Sequence, residues 1–204
     1  MGDEQRLASI AQGRRIKTLN AAAAVISGTL PAVVLALAYP GTSSRWLIGL
    51  LAGVVWANGF EFAYHKYLLH APRTFFARKH LQHHATVGMP NQAEHLLLGG
   101  SPVWIVLLFV VNGLPVIALD LLLHLRIAPG MFVGFVAYVL VVEEIHWRIH
   151  LGGWLPDILK AARQHHLLHH DRPDGRFNIF FPLFDWMFGA MGAEKAPALS
   201  TVRR

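Results

Sequence analysis

Apolar residues along this chain come in four long runs, each with so few charges that neither strand alternation nor a one-sided helical stripe describes it. The runs cover residues 19–39, 46–64, 102–123 and 127–145, each close to the roughly 20 residues a helix needs to cross a bilayer. Four transmembrane helices are therefore expected, and an all-α integral membrane protein is the fold class. The first two runs are joined by PGTSSR and the last two by HLRIAPG, which predicts two hairpins separated by the longer segment 69–101.

Charge orients this arrangement. Of the 18 Lys and Arg residues only Arg45 and Arg126 lie in the two short turns, so the positive-inside rule makes the opposite face cytoplasmic. Both termini belong there, with residues 1–18 as a cytoplasmic N-terminal segment and 193–204 as a polar tail. The chain, 1–204, then reads as a single membrane-embedded domain with a helical cytoplasmic cap, in the inner membrane of a bacterium or the endoplasmic reticulum of a eukaryote.

Composition agrees, with 54% hydrophobic residues and 15% charged ones, against about a quarter charged in an average soluble domain. The pI near 10.1 would elsewhere suggest nucleic acid. Here the cations flank apolar spans, so topology and anionic headgroups account for them, and no nucleic-acid partner is expected. GRRIK followed by an alanine-rich run ending in Ala36-Leu37-Ala38 resembles a signal peptide, even a twin-arginine one. The run exceeds the about 7 to 15 residues of a signal core, which favours an uncleaved first helix. The absence of cysteine excludes disulfides, thiolate metal sites and Cys-ligated iron-sulfur clusters.

Histidine carries the chemistry. His65 and His70 form HKYLLH after the second run, and His80, His83 and His84 form HLQHH in the segment that follows. His146 and His150 form HWRIH after the fourth run, and His166, His169 and His170 form HLLHH about one helix later. Ten of the 13 histidines thus fall into a pair then a triplet, twice over. On a helix each HxxHH presents three imidazoles on one face, and HWRIH aligns similarly. HKYLLH does not, since a five-residue step rotates about 140°. Either the helix frays there or the two rings serve different ions.

The topology gathers all four groups at the cytoplasmic ends of the second and fourth spans. Ten protonated imidazoles would repel one another, and ten buried neutral ones would need many partners, whereas metal ions take a lone pair from each. Ten ligands suit two ions with about five each. Imidazole alone does not choose among zinc, copper, nickel and iron. Zinc usually closes at four ligands or keeps three plus water, while non-haem iron in an apolar pocket fits oxygen chemistry on a hydrocarbon. His95 and His124 match no group, and His165 is expected to point off the ligand face.

With these boxes in place the sequence resembles the fatty acid hydroxylase superfamily, also called the sterol desaturase family. HX4H, HX2HH, HX3H and HX2HH occur in its order, interleaved with two hairpins. HHLLHHDRPDGRFNIFFPLFDWMFG is similar to its pattern of a histidine box, a polar turn and an aromatic Pro-Leu-aromatic-Asp segment ending in Phe-Gly. The resemblance spans roughly residues 46–192. It implies a di-iron enzyme that uses O2 and two electrons to hydroxylate, or in some members desaturate, a lipid C–H bond, with zinc as a substitute in purified protein. Carried over box by box, the ligands would be His65, His70, His80, His83, His84, His146, His150, His166, His169 and His170. Carotenoid ring hydroxylases share the small size, but HWRIH and the FPLFDWMFG tail are closer to the fatty acid and sterol branch. Outside the class, the alternative is a non-oxidative metal-binding membrane protein.

Helical phase nominates supporting residues. Glu143 lies one turn before His146 and could accept an imidazole N–H, whereas Glu144 faces elsewhere. Glu61 stands one turn before His65 in an apolar helix, where a carboxylate is costly, and is a similar candidate. The alternative is pairing of these acids with Lys66 or Arg148. Asp171 is placed to orient His170 or to form the DRPDG turn with Asp174, and Asp185 has no clear role. The six aromatic residues between Phe177 and Phe188 are expected to anchor the cap at the interface. The short flanking segments leave no room for a redox domain, which implies an external ferredoxin or cytochrome-type donor, steered by Arg73, Arg78, Lys79 and Arg163.

Overall fold

The computed structural model describes residues 2–71, 74–97 and 100–192; Arg73 and the tail 193–204 lie outside them. It is helical, with no strand among the described residues: α1 (Gly2–Ala38), α2 (Ser43–Tyr64), α3 (Phe75–Ala85), α4 (Pro102–Leu123), α5 (Ala128–Leu151), α6 (Lys160–Asp171) and the short α7 (Leu183–Met187). A π turn, His65–Leu69, continues α2, and a 3-10 turn, Gln92–His95, follows α3.

Among the described residues four helices are long and apolar enough to cross a membrane: α1, α2 with its π turn, α4 and α5. Their boundaries exceed the expected ones in three places, and α2 with its π turn runs from Ser43 to Leu69. α1 begins at Gly2, because GDEQRLASIAQGRRIK contains no proline and its Ser9 and Gly13 are buried. The Ser9 hydroxyl accepts the Glu94 N–H at 3.2 Å, tying this end of α1 to the 3-10 turn. α5 runs on to Leu151 and so carries HWRIH within the helix, until Gly152, left-handed at φ 79°, ends it.

Packing centres on α5. Two-thirds of its apolar window (67%) is buried, against 22–33% in the other three spans, whose remaining apolar surface suits lipid. Its most extensive contacts are with α2 and α1, and α4 packs on α1, so the main contacts are not those between helices joined by the short turns. Glycines set the α2–α5 approach: a Cβ on Gly49, Gly53, Gly130 or Gly134 would come within 2.1–2.3 Å of a carbonyl oxygen of the facing helix. Lipid supplies no hydrophobic drive between apolar helices, so such close backbone contact is what holds spans together. This seam fixes the helix that carries HKYLLH against the helix that carries HWRIH. At the other end, Asp120 accepts the N–H groups of Ile127 and Ala128 at 2.8 and 3.1 Å and starts α5.

Candidate metal centre

The ten histidines of the four boxes come together in two groups of five. His65, His70, His80, His84 and His169 form the first group, and His83, His146, His150, His166 and His170 the second; within each, one ring nitrogen from every histidine lies within 4.8 Å of the others'. His95 and His124 join neither group.

The backbone explains the sorting. Residues five apart do not share a face of an α-helix, but a π turn closes i to i+5, and the His70 N–H donates to the His65 carbonyl at 3.2 Å. HKYLLH therefore neither frays nor serves two ions: both rings enter the first group, their centroids 5.1 Å apart. Thr74 then turns the chain into α3, donating to the Leu68 carbonyl at 3.0 Å and accepting the Ala77 N–H at 2.9 Å. Each triplet divides. Consecutive helical residues differ by about 100°, so one HxxHH helix straddles both groups. From α3, His80 and His84 enter the first group and His83 the second; from α6, His166 and His170 enter the second and His169 the first.

In the first group the Nε2 atoms converge. His80 Nε2 lies 2.9 Å from that of His65, 3.1 Å from that of His70 and 3.0 Å from that of His84, and His70 Nε2 lies 3.1 Å from that of His169. In the second, His166 Nε2 is 2.9 Å from His150 Nε2 and 3.1 Å from His170 Nε2. Nitrogens bound at about 2.1 Å to one ion and at right angles to each other stand about 3.0 Å apart, so both groups could hold a metal ion. Neither nitrogen of the buried His83 has a hydrogen-bond partner among the described residues. Burial first, then neighbouring imidazoles, push His84 down to about 4 and His170 down to about 2, and hold His83 and His166 well below the usual range. Burial also lowers His169 to about 3, against the opposing effect of its bond to a backbone carbonyl. Neutral imidazoles are the form a metal requires.

A surrounding layer holds several rings by Nδ1. His65 Nδ1 donates to the Phe177 carbonyl and His169 Nδ1 to the Gly175 carbonyl, the latter at 2.6 Å. The Gln92 amide lies 2.9 Å from His150 Nδ1. Glu61 reaches the first group through this loop: it accepts from the Tyr138 hydroxyl at 2.6 Å, the Asn178 amide at 2.8 Å and the Ile179 N–H at 3.1 Å. Glu143 is buried one turn before His146. Glu144 points away, paired with Lys17 and with Arg148.

Other candidates fall into place. His165 leaves the ligand face and donates to Asp185 at 3.0 Å, while Asp171 and Asp174 are exposed. Arg163 is occupied by the carbonyls of Arg148 and Gly153, each at 3.0 Å, whereas Arg78 and Lys79 are exposed. Trp186 and Phe188 expose 72% and 62% of their surface, as an interfacial anchor requires. Sequence reasoning missed Asn178 and Tyr138, since lone polar residues beside aromatic runs carry no periodic signal.

Two cavities reach the histidines. One of about 330 Å3 lies among the spans, walled by apolar side chains such as Phe60, Leu108 and Val139, with Glu61, His65 and Glu143 in its lining. The other, about 360 Å3, is more polar, with Gln12, Lys79 and Glu94 in its wall, and touches His80 of the first group and His83 and His146 of the second. Leu69 and Phe76 line both.

Comparison with known proteins agrees with this geometry. No curated protein and no solved structure matches the chain. Residues 50–190, well over half of it, match the family model described as fatty acid hydroxylase, and that stretch contains all four boxes and both cavities' histidines. The chain belongs to the fatty acid hydroxylase family.

Proposed function

We propose that the protein is a membrane-bound di-iron oxygenase that hydroxylates an unactivated C–H bond of a lipid of the fatty acyl or sterol-like kind. The observation that carries this reading is the division of ten histidines into two adjacent groups of five beside an apolar cavity. Two iron ions held by His65, His70, His80, His84 and His169 and by His83, His146, His150, His166 and His170 would supply the oxidising power that no side chain has. In the overall reaction one oxygen atom of O2 enters the lipid C–H bond as hydroxyl. The other leaves as water, with two protons and with two electrons from a separate ferredoxin or cytochrome-type donor.

The chain's own residues do the positioning. The apolar cavity, within the usual size range of ligand pockets, takes the hydrocarbon and excludes water. The more polar cavity, touching both histidine groups, gives the lipid's polar end its place, so the reacting carbon lies near Leu69 and Phe76, which line both cavities. Glu143 and Glu61, in the wall of the apolar cavity, hold or accept protons next to the histidine groups. The excess of Lys and Arg at the histidine end supports placing it, both termini and the donor in the cytoplasm. Exposed Arg78 and Lys79 suit docking of an acidic donor there.

The test is expression under 18O2 with lipid mass spectrometry, beside the variant His169→Ala, His170→Ala, which removes one histidine from each group. One 18O atom per new lipid hydroxyl, absent with the variant, supports the oxygenase. Hydroxylated lipid without 18O, or equal product from the variant, rejects it.

A further inference from the structure

Asp185 is fully buried in α7. Its Oδ1 accepts the Phe177 N–H at 2.7 Å, and its Oδ2 accepts the Asn178 N–H at 2.9 Å and the His165 Nε2–H at 3.0 Å. The peptide group between residues 177 and 178 thus has its N–H on Asp185 and its carbonyl on His65 Nδ1. One peptide unit separates a buried carboxylate from a histidine of the first group. The same loop is strapped from the opposite side by Glu61, which accepts the Ile179 N–H and the Asn178 amide.

From this geometry we infer that Asp185 is a positioning residue for His65, acting through the 177–178 peptide. Metal-binding histidines commonly donate their second N–H to a carboxylate or carbonyl, which fixes tautomer and ring orientation. Here the carboxylate acts one peptide removed. By accepting the peptide N–H it polarises the carbonyl that receives His65 Nδ1–H. That bond leaves the lone pair on His65 Nε2, which faces His80 Nε2 at 2.9 Å. Asp185 has no such link to the second group, whose Gln92 contact comes from the 3-10 turn. The aromatic Pro-Leu-aromatic-Asp segment is therefore part of the apparatus of the first group as well as an anchor. This inference rests on reading the ten histidines as ligands.

The test is release of metal to excess chelator from detergent-purified protein, followed by mass spectrometry, in wild type, Asp185→Asn and His165→Ala. Asn keeps the volume and the bond to Phe177 but turns an NH2 toward the Asn178 N–H. The expected result is that one of two metal equivalents leaves roughly 10- to 100-fold faster in Asp185→Asn while the other keeps its wild-type rate. His165→Ala, which leaves the peptide link intact, keeps both rates. Should Asp185→Asn not accumulate in membranes, Asp185→Ser, which retains one acceptor, reads the same release. Wild-type rates for both equivalents in the Asp185 variants, or equal acceleration of both together with lower helicity, overturns the positioning role and leaves the oxygenase standing. A wild-type protein without two bound equivalents overturns both.

Discussion

The two five-histidine groups are assembled from the same parts in exchanged roles, and the contrast between them separates what metal chemistry demands from what the backbone supplies. Each takes one pair, the outer two histidines of its own triplet and the middle one of the other triplet. The second group's pair sits on unbroken α5 at a four-residue step, where regular helix geometry suffices. The first group's pair is five residues apart and needs the π turn His65–Leu69 to share a face. The first is braced by carbonyls of the loop at 175–177 and touches the apolar cavity through His65; the second is braced by Gln92 from the 3-10 turn. Equal histidine sets thus arise from unequal scaffolds, and each scaffold can be disturbed by itself.

The largest disturbance removes the contrast altogether. Gly53→Leu would drive a side chain into the Met131 backbone and part α2 from α5, the helices that carry the two pairs. Overpacking of this kind costs about 1–3 kcal/mol or more, and both metal equivalents should be lost together, as metal analysis and thermal unfolding would report. Retention of either equivalent would mean that the seam does not align the groups.

Acid should act on both groups as well. The folded state holds His84, His169 and His170 below their unfolded value near 6.5, at about 4, about 3 and about 2, so the unfolded chain binds more protons and stability falls as pH drops from about 6.5 toward those values. Metal release followed against pH should be flat above 7 and steep in that window; release that grows with rising pH would contradict the sign. A smaller and one-sided effect is expected of Gln92→Ala, which unbraces His150. One equivalent should weaken roughly 10-fold in chelator competition, the mirror image of the Asp185 variants. Smallest is Lys17→Ala: its partly exposed pair with Glu144 joins α1 to α5 away from both groups. A change below about 1 kcal/mol in unfolding, with metal content intact, is expected.

Much of this was legible in the sequence because its signals are local. Four apolar runs gave the four spans, and the boxes named all ten histidines, since both depend on spacing along one element. His165 and Glu144 were correctly set apart by helical phase alone. The sorting of ligands was not legible: HKYLLH offers no residue that announces a π turn, and whether His83 and His84 serve one ion or two depends on where α6 lies across from them. The spacing Gly49-x3-Gly53 and Gly130-x3-Gly134, which marks the α2–α5 seam, went unread in the sequence. Asp185 showed no role in the sequence because its partners, Phe177, Asn178 and His165, are defined by the folded loop.

The central claim, two separate ions on two defined sets of five, is tested most directly by counting metal in purified protein with one set damaged at a time. His80→Ala, His84→Ala strips two ligands from the first group only, and His166→Ala, His170→Ala two from the second only. The account predicts two equivalents in wild type and about one in each double variant, with none when both pairs are changed. Unchanged metal in either double variant, or a wild type with a single equivalent, would contradict it.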